Sequence, residues 1–92
     1  MKVKFGIDDT VYPGKAYNIS QKGILIHSFK AFVPNTSLNI KIHKDTEIVQ
    51  LNTEVKWVKK TNDNSGSFMG LYFVGKNFEI KKLYIKEPGL SQ

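Results

Sequence analysis

The run from Glu47 to Lys60 is the longest stretch of alternating apolar and polar residues in the chain. Val49, Leu51, Val55 and Trp57 fall on one face, with Thr53 between them. Gln50, Asn52, Glu54 and Lys56 fall on the other. A period of two marks a strand with one face in a core and one in water, because successive side chains of extended backbone point to opposite sides. The run ends at Thr61-Asn62-Asp63-Asn64-Ser65-Gly66, a cluster of turn formers. Ser67 to Val74 then returns as a further strand carrying Phe68, Met69, Leu71, Tyr72 and Phe73. A long hairpin is the reading these two runs support.

Four shorter strands precede it. Val3, Phe5 and Ile7 alternate with Lys2, Lys4 and Gly6 until Asp8-Asp9 breaks the pattern. Tyr12-Pro13-Gly14-Lys15 reads as a type II turn, with proline presetting φ and glycine supplying a positive φ. The strand from Lys15 to Ser20 would turn Tyr17 and Ile19 to the core, and Ala16, Asn18 and Ser20 to the opposite face. After a corner ending at Gly23, Ile24 to Phe29 forms the third strand. Pro34-Asn35-Thr36 marks a loop, and Leu38, Ile40 and Ile42 alternate with Asn39, Lys41 and His43 in the fourth. Beyond Gly75, Asn77 is a candidate N-cap, Phe78 to Lys86 a short helix, and Pro88-Gly89 its stop. The alternative, in which Leu83-Tyr84-Ile85 continues as strand, stays open. On a helix, Ile80, Leu83 and Tyr84 share one side, and Phe78 and Ile85 form a second apolar side suited to a partner. The pattern therefore predicts an all-β protein with a C-terminal helix, its six strands closing into a small antiparallel barrel or sandwich.

A chain of 92 residues is expected to form a single domain over 1–92. It has no cysteine, which excludes disulfides and thiolate metal sites. No apolar run approaches the roughly 18 residues of a membrane span, and the first residues do not resemble a signal peptide. A cytoplasmic location without membrane insertion is expected. The net charge of +6 favours anionic partners; a merely solvated surface is the competing reading. No catalytic residues are expected. His27 and His43 sit mid-strand without an evident carboxylate neighbour, and no phosphate-binding glycine loop or nucleophile–base pair is present. Asp8-Asp9 reads as a solvated turn, so no metal site is expected.

The six residues Asn18-Ile19-Ser20-Gln21-Lys22-Gly23 fit the pattern (Asp/Asn)-x-Ser-x-x-Gly. Val55-Lys56-Trp57-Val58 and Phe68-Met69-Gly70-Leu71-Tyr72-Phe73 follow in order. Together these motifs resemble the PilZ domain family over most of the chain. The resemblance implies a six-stranded antiparallel PilZ-like barrel with a C-terminal helix, in a bacterial protein of cyclic-di-GMP signalling. It also implies roles at the motif. Asn18 would hydrogen-bond a guanine, Ser20 would orient the loop or touch the ligand, and Gly23 would permit the turn, with Lys15 or Lys22 supplying charge to the phosphates. The competing reading is that Asn18 and Ser20 only satisfy backbone groups of the turn.

Ligand-binding members of the family also carry an Arg-x-x-x-Arg segment ahead of the barrel. Here all 14 basic residues are lysine. Lys2 and Lys4, the only cations near that position, are two apart rather than four. A guanidinium grips guanine or phosphate through two parallel bonds, whereas an ammonium is a hydrated point charge. Two absent bidentate contacts would cost roughly 2–6 kcal/mol, about 30-fold to over 10⁴-fold in affinity. The expectation is an adaptor with weak or no cyclic-di-GMP binding and no cofactor, acting through a protein partner in processes such as motility. A direct cyclic-di-GMP receptor is the alternative. A third reading is a nucleic-acid-binding barrel using Lys41, His43, Lys56, Lys59 and Lys60. Nucleic acid is not expected as a partner, because arginine is absent, Trp57 and Phe73 fall on inward phases, and lysines also serve to protect sheet edges.

Overall fold

The structure, a computed structural model, describes residues 1–75. Its elements are β1 (Lys2–Gly6), β2 (Tyr12–Ile19), β3 (Gly23–Ser28), β4 (Ser37–Lys44), β5 (Glu47–Lys60) and β6 (Ser67–Phe73). They form a closed barrel in the order β1-β2-β3-β6-β5-β4, with every neighbouring pair antiparallel. The six-stranded barrel expected above is therefore present. The helix expected over 78–86, and with it Phe78 and Ile85, lies outside the described residues.

The inward phase of each strand fills the barrel. Val3 and Phe5 on β1 meet Ile24 and Ile26 on β3, Leu38, Ile40 and Ile42 on β4, Val49, Leu51 and Val55 on β5, and Met69 and Leu71 on β6. A small barrel has just enough interior for such side chains, and their burial is its main source of stability. Thr53 also points inward, and its hydroxyl donates to the Leu38 carbonyl at 2.9 Å. Near one end Phe5, Tyr12 and Phe32 pack with ring centroids 5.8–6.1 Å apart. Lys30 places its ammonium over Tyr12 and Phe32.

Three local expectations differ from the structure. The type II turn at Tyr12-Pro13-Gly14-Lys15 is absent: these residues open β2 and pair with Phe5, Lys4, Val3 and Lys2 of β1. Pairing with β1 overrides the local turn preference. Gly14 serves packing, since a β-carbon there would stand 3.2 Å from Phe5, Val3 and the His27 carbonyl. Ile7 is exposed rather than inward, because β1 ends at Gly6. The third reversal concerns β2. Ala16 is buried and Tyr17 is 56% exposed, the opposite of the alternation. Tyr12, Gly14 and Ala16 hold the inward phase of β2, which turns Tyr17 outward; the bulge between Ala16 and Asn18 then keeps Asn18 outward as well and returns Ile19 to the core side.

Candidate functional site

A second bulge lies on β5. Val55 pairs with Leu71 and Trp57 with Gly70, so Lys56 is extra. The phase slips by one residue, and a slip of one turns every later side chain to the other face. Val58, opposite Met69, takes over the inward position and packs against the core. Trp57 turns outward and is 41% exposed, correcting the inward placement that alternation gave it. Phe73, in contrast, does pack against the core.

The two bulges end the same cross-strand row. It runs Asn18 on β2, Leu25 on β3, Gly70 on β6 and Trp57 on β5. Between its ends lies an open hollow of about 340 Å³ on the outer wall of the barrel. Its floor includes Leu25 and Gly70, and Asn18, Lys22, Lys56, Trp57 and Tyr72 reach it from the sides. Gly70 leaves the room that the indole of Trp57 occupies. Lys56 holds its ammonium 4.5 Å from the centroid of the Tyr72 ring, a cation–π contact at the rim.

The corner from Ser20 to Gly23 closes one side. The Ser20 amide donates to the Gly23 carbonyl at 2.9 Å. The Ser20 hydroxyl accepts the amides of Lys22 and Gly23 at 3.2 and 3.3 Å, and is 3.4 Å from the Gly23 carbonyl as a donor. The Phe73 amide donates to the Lys22 carbonyl at 2.9 Å and ties the corner to β6. Ser20 is thus occupied in holding the loop. Gly23 does not have a positive φ, so the turn does not need it for that. It is required because a β-carbon there would run into the Leu71 carbonyl of the paired strand.

Asn18, Ser20, Lys22 and Gly23 are therefore brought together at one hollow, and Lys15 is not. Lys15 pairs with His27 and Lys2, and its ammonium lies 5.4 Å from the centroid of the Tyr17 ring. Trp57 and Tyr72 join the hollow without having been singled out as site residues, and Lys56, expected on a separate lysine face, joins it too. The signal for Trp57 is Gly70 on the returning strand: a residue without a side chain, opposite a tryptophan, leaves space for the ring on the outer face. The lysine face expected from Lys41, His43, Lys56, Lys59 and Lys60 is divided. Lys41 and His43 pair with Gln50 and Ile48, whereas Lys59 and Lys60 pair with Phe68 and Ser67 at the far end of β5.

The hollow offers one side-chain amide, two exposed rings and two ammonium groups. That set can hold a flat or apolar group and attract an anion. Among the described residues, no group of three or more His, Asp or Glu could hold a metal ion. No described helix is long and apolar enough to cross a membrane.

A model of the PilZ domain matches residues 1–83. No curated protein and no solved structure matches the chain significantly.

Proposed function

Because the chain belongs to the PilZ domain family, we propose that it acts as an adaptor, working through a protein partner, with its own grip on cyclic-di-GMP weak or lost. PilZ domains are regulatory binding modules of cyclic-di-GMP-linked signalling, and membership places the chain in that class. The observation that carries the adaptor reading is the makeup of the hollow. The motif residues Asn18, Ser20 and Gly23 stand at it, but its cations are Lys22 and Lys56. Ammonium groups do not reproduce a guanidinium's bidentate grip. What the hollow does expose is ring surface, with Trp57 and Tyr72 41% and 42% exposed. Exposed aromatic groups of this kind are enriched in the centres of protein interfaces.

A second reading, the direct receptor, draws on the same lysines: Lys22 and Lys56 flank Asn18 and could balance phosphate charge. Calorimetric titration with cyclic-di-GMP separates the two. The adaptor reading expects no heat at high ligand concentration. Micromolar binding that disappears in Asn18→Ala would overturn it and establish the receptor. Asn18→Ala is preferred to a change at Ser20, whose hydroxyl holds the corner together.

A further inference from the structure

A second outward row crosses five adjacent strands and runs beside that hollow on β2, β3 and β6. It runs Phe68 on β6, His27 on β3, Lys15 on β2, Lys2 on β1 and His43 on β4. One end is aromatic. His27 and Phe68 have centroids 5.1 Å apart, and Tyr17, outward next to the buried Ala16, lies 6.4 and 5.7 Å from them. Phe29, 85% exposed, extends the group from His27. The other end is cationic. Lys2 stands directly opposite Lys15 on one side and His43 on the other, and Lys4 stands opposite Lys41. Lys15, over the Tyr17 ring, joins the two halves.

Neither half is explained by folding. Like charges directly opposite each other destabilise a sheet. The remaining cross-strand neighbours of this group are Pro13, Gln50 and Ile48, not carboxylates. The lysines do not guard a sheet edge, because the barrel is closed and has none. Beside them the rings of Tyr17 and Phe29 are exposed to water. A ligand that brings negative charge to the lysines and flat apolar faces to the rings relieves both.

We propose that this band binds single-stranded nucleic acid, its phosphates along Lys15, Lys2, Lys4 and Lys41 and its bases against Tyr17, Phe68 and Phe29. Stacking needs no guanidinium, since every base has a π-face, and small barrels bind single strands by combining rings with a cationic groove. Five strands at about 4.8 Å spacing give a path about 19 Å long that curves round much of the closed barrel wall, a path that a flexible single strand can follow and that fits the short end of the ~4–16 nucleotides bound per barrel. A protein partner fits less well, because lysine is depleted from the centres of protein interfaces. A duplex keeps its bases stacked on one another and offers the rings nothing. The band runs beside the hollow on β2, β3 and β6 but shares none of its lining residues, so this inference does not depend on the adaptor reading.

The test is fluorescence anisotropy of the full chain with labelled oligothymidine and oligouridine of about 12 nucleotides, a length within the range small barrels cover. The comparison ligands are a duplex of equal length and a polyglutamate peptide. Four phosphate contacts predict an affinity that falls about 50-fold between about 50 and 200 mM salt. Lys2→Gln with Lys4→Gln should halve that salt slope. Tyr17→Ala, at an exposed position, should weaken binding about tenfold and leave the slope unchanged. No binding of either oligonucleotide at low salt overturns the proposal. Equal affinity for duplex or polyglutamate, with Tyr17→Ala silent, overturns it too and leaves an unspecific cationic patch.

Discussion

The indole of Trp57 lies on the α-carbon of Gly70, its opposite partner across β5 and β6. A β-carbon on Gly70 would collide with Nε1 and Cε2 of that ring and stand 2.9 Å from Cδ1. Gly70→Ala should therefore lift the ring away from the wall and open the hollow. The chain has one tryptophan, so its fluorescence reports on this contact alone. A red-shifted emission and a stability loss of about 1–3 kcal/mol are expected. An unchanged spectrum would show that the ring does not rest on Gly70.

Gly23→Ala meets backbone rather than a side chain. The added carbon would strike the Leu71 carbonyl, and neither β3 nor β6 can yield without breaking the ladder. The expected outcome is a loss of at least about 1–3 kcal/mol in urea unfolding, at the upper end for an overpacked site. A neutral result would place the reason for glycine elsewhere.

Thr53 is the one polar side chain facing the centre of β5, and its hydroxyl donates to the Leu38 carbonyl at 2.9 Å. Thr53→Val keeps the shape and removes the donor. Stability should fall by about 1 kcal/mol, read as a lower urea midpoint with an unchanged slope. An equal or higher midpoint would show that the bond adds nothing net.

The loop between β5 and β6 carries a pH signature. The Ser65 hydroxyl and amide donate to Asp63 Oδ1 at 2.7 and 3.1 Å. These bonds favour the carboxylate and hold its pKa below the ordinary 3.8. A depressed pKa contributes stability that is present above 3.8 and is lost as pH falls through the lower folded-state value. The Ser65 amide resonance should titrate with a midpoint below 3.8, and Asp63→Asn should remove that step. A midpoint at or above 3.8 would contradict the two bonds.

Much of the barrel is legible in the pattern of residues. Leu38, Ile40 and Ile42, and Val49, Leu51 and Val55, are inward as their alternation requires. β5 begins at Glu47 and ends at Lys60, where the apolar period starts and where the turn residues take over. The corner at Asn18 to Gly23 and the hairpin loop at Thr61 to Gly66 are likewise visible in their residue types.

What alternation does not encode is a change of phase. Tyr17 and Trp57 are both apolar enough to be placed inside by a period of two, and both lie outside. Tyr17 is outward because pairing with β1 and β3 puts Tyr12, Gly14 and Ala16 on the inward phase. Trp57 follows from a bulge, and a bulge is a property of two paired strands: whether Trp57 turns out depends on Gly70 leaving room across the ladder. The same holds for Tyr12-Pro13-Gly14-Lys15, whose local preference for a turn yields to pairing with β1. The sequence alone determined that these residues form strands, which of them can pay for a core, and which corner carries the motif, because those depend on side-chain period and local backbone preference. Only the tertiary structure decided which rings face water, why Gly23 must be glycine, and that Asn18 and Trp57 share one hollow, because each depends on register between strands distant in the chain.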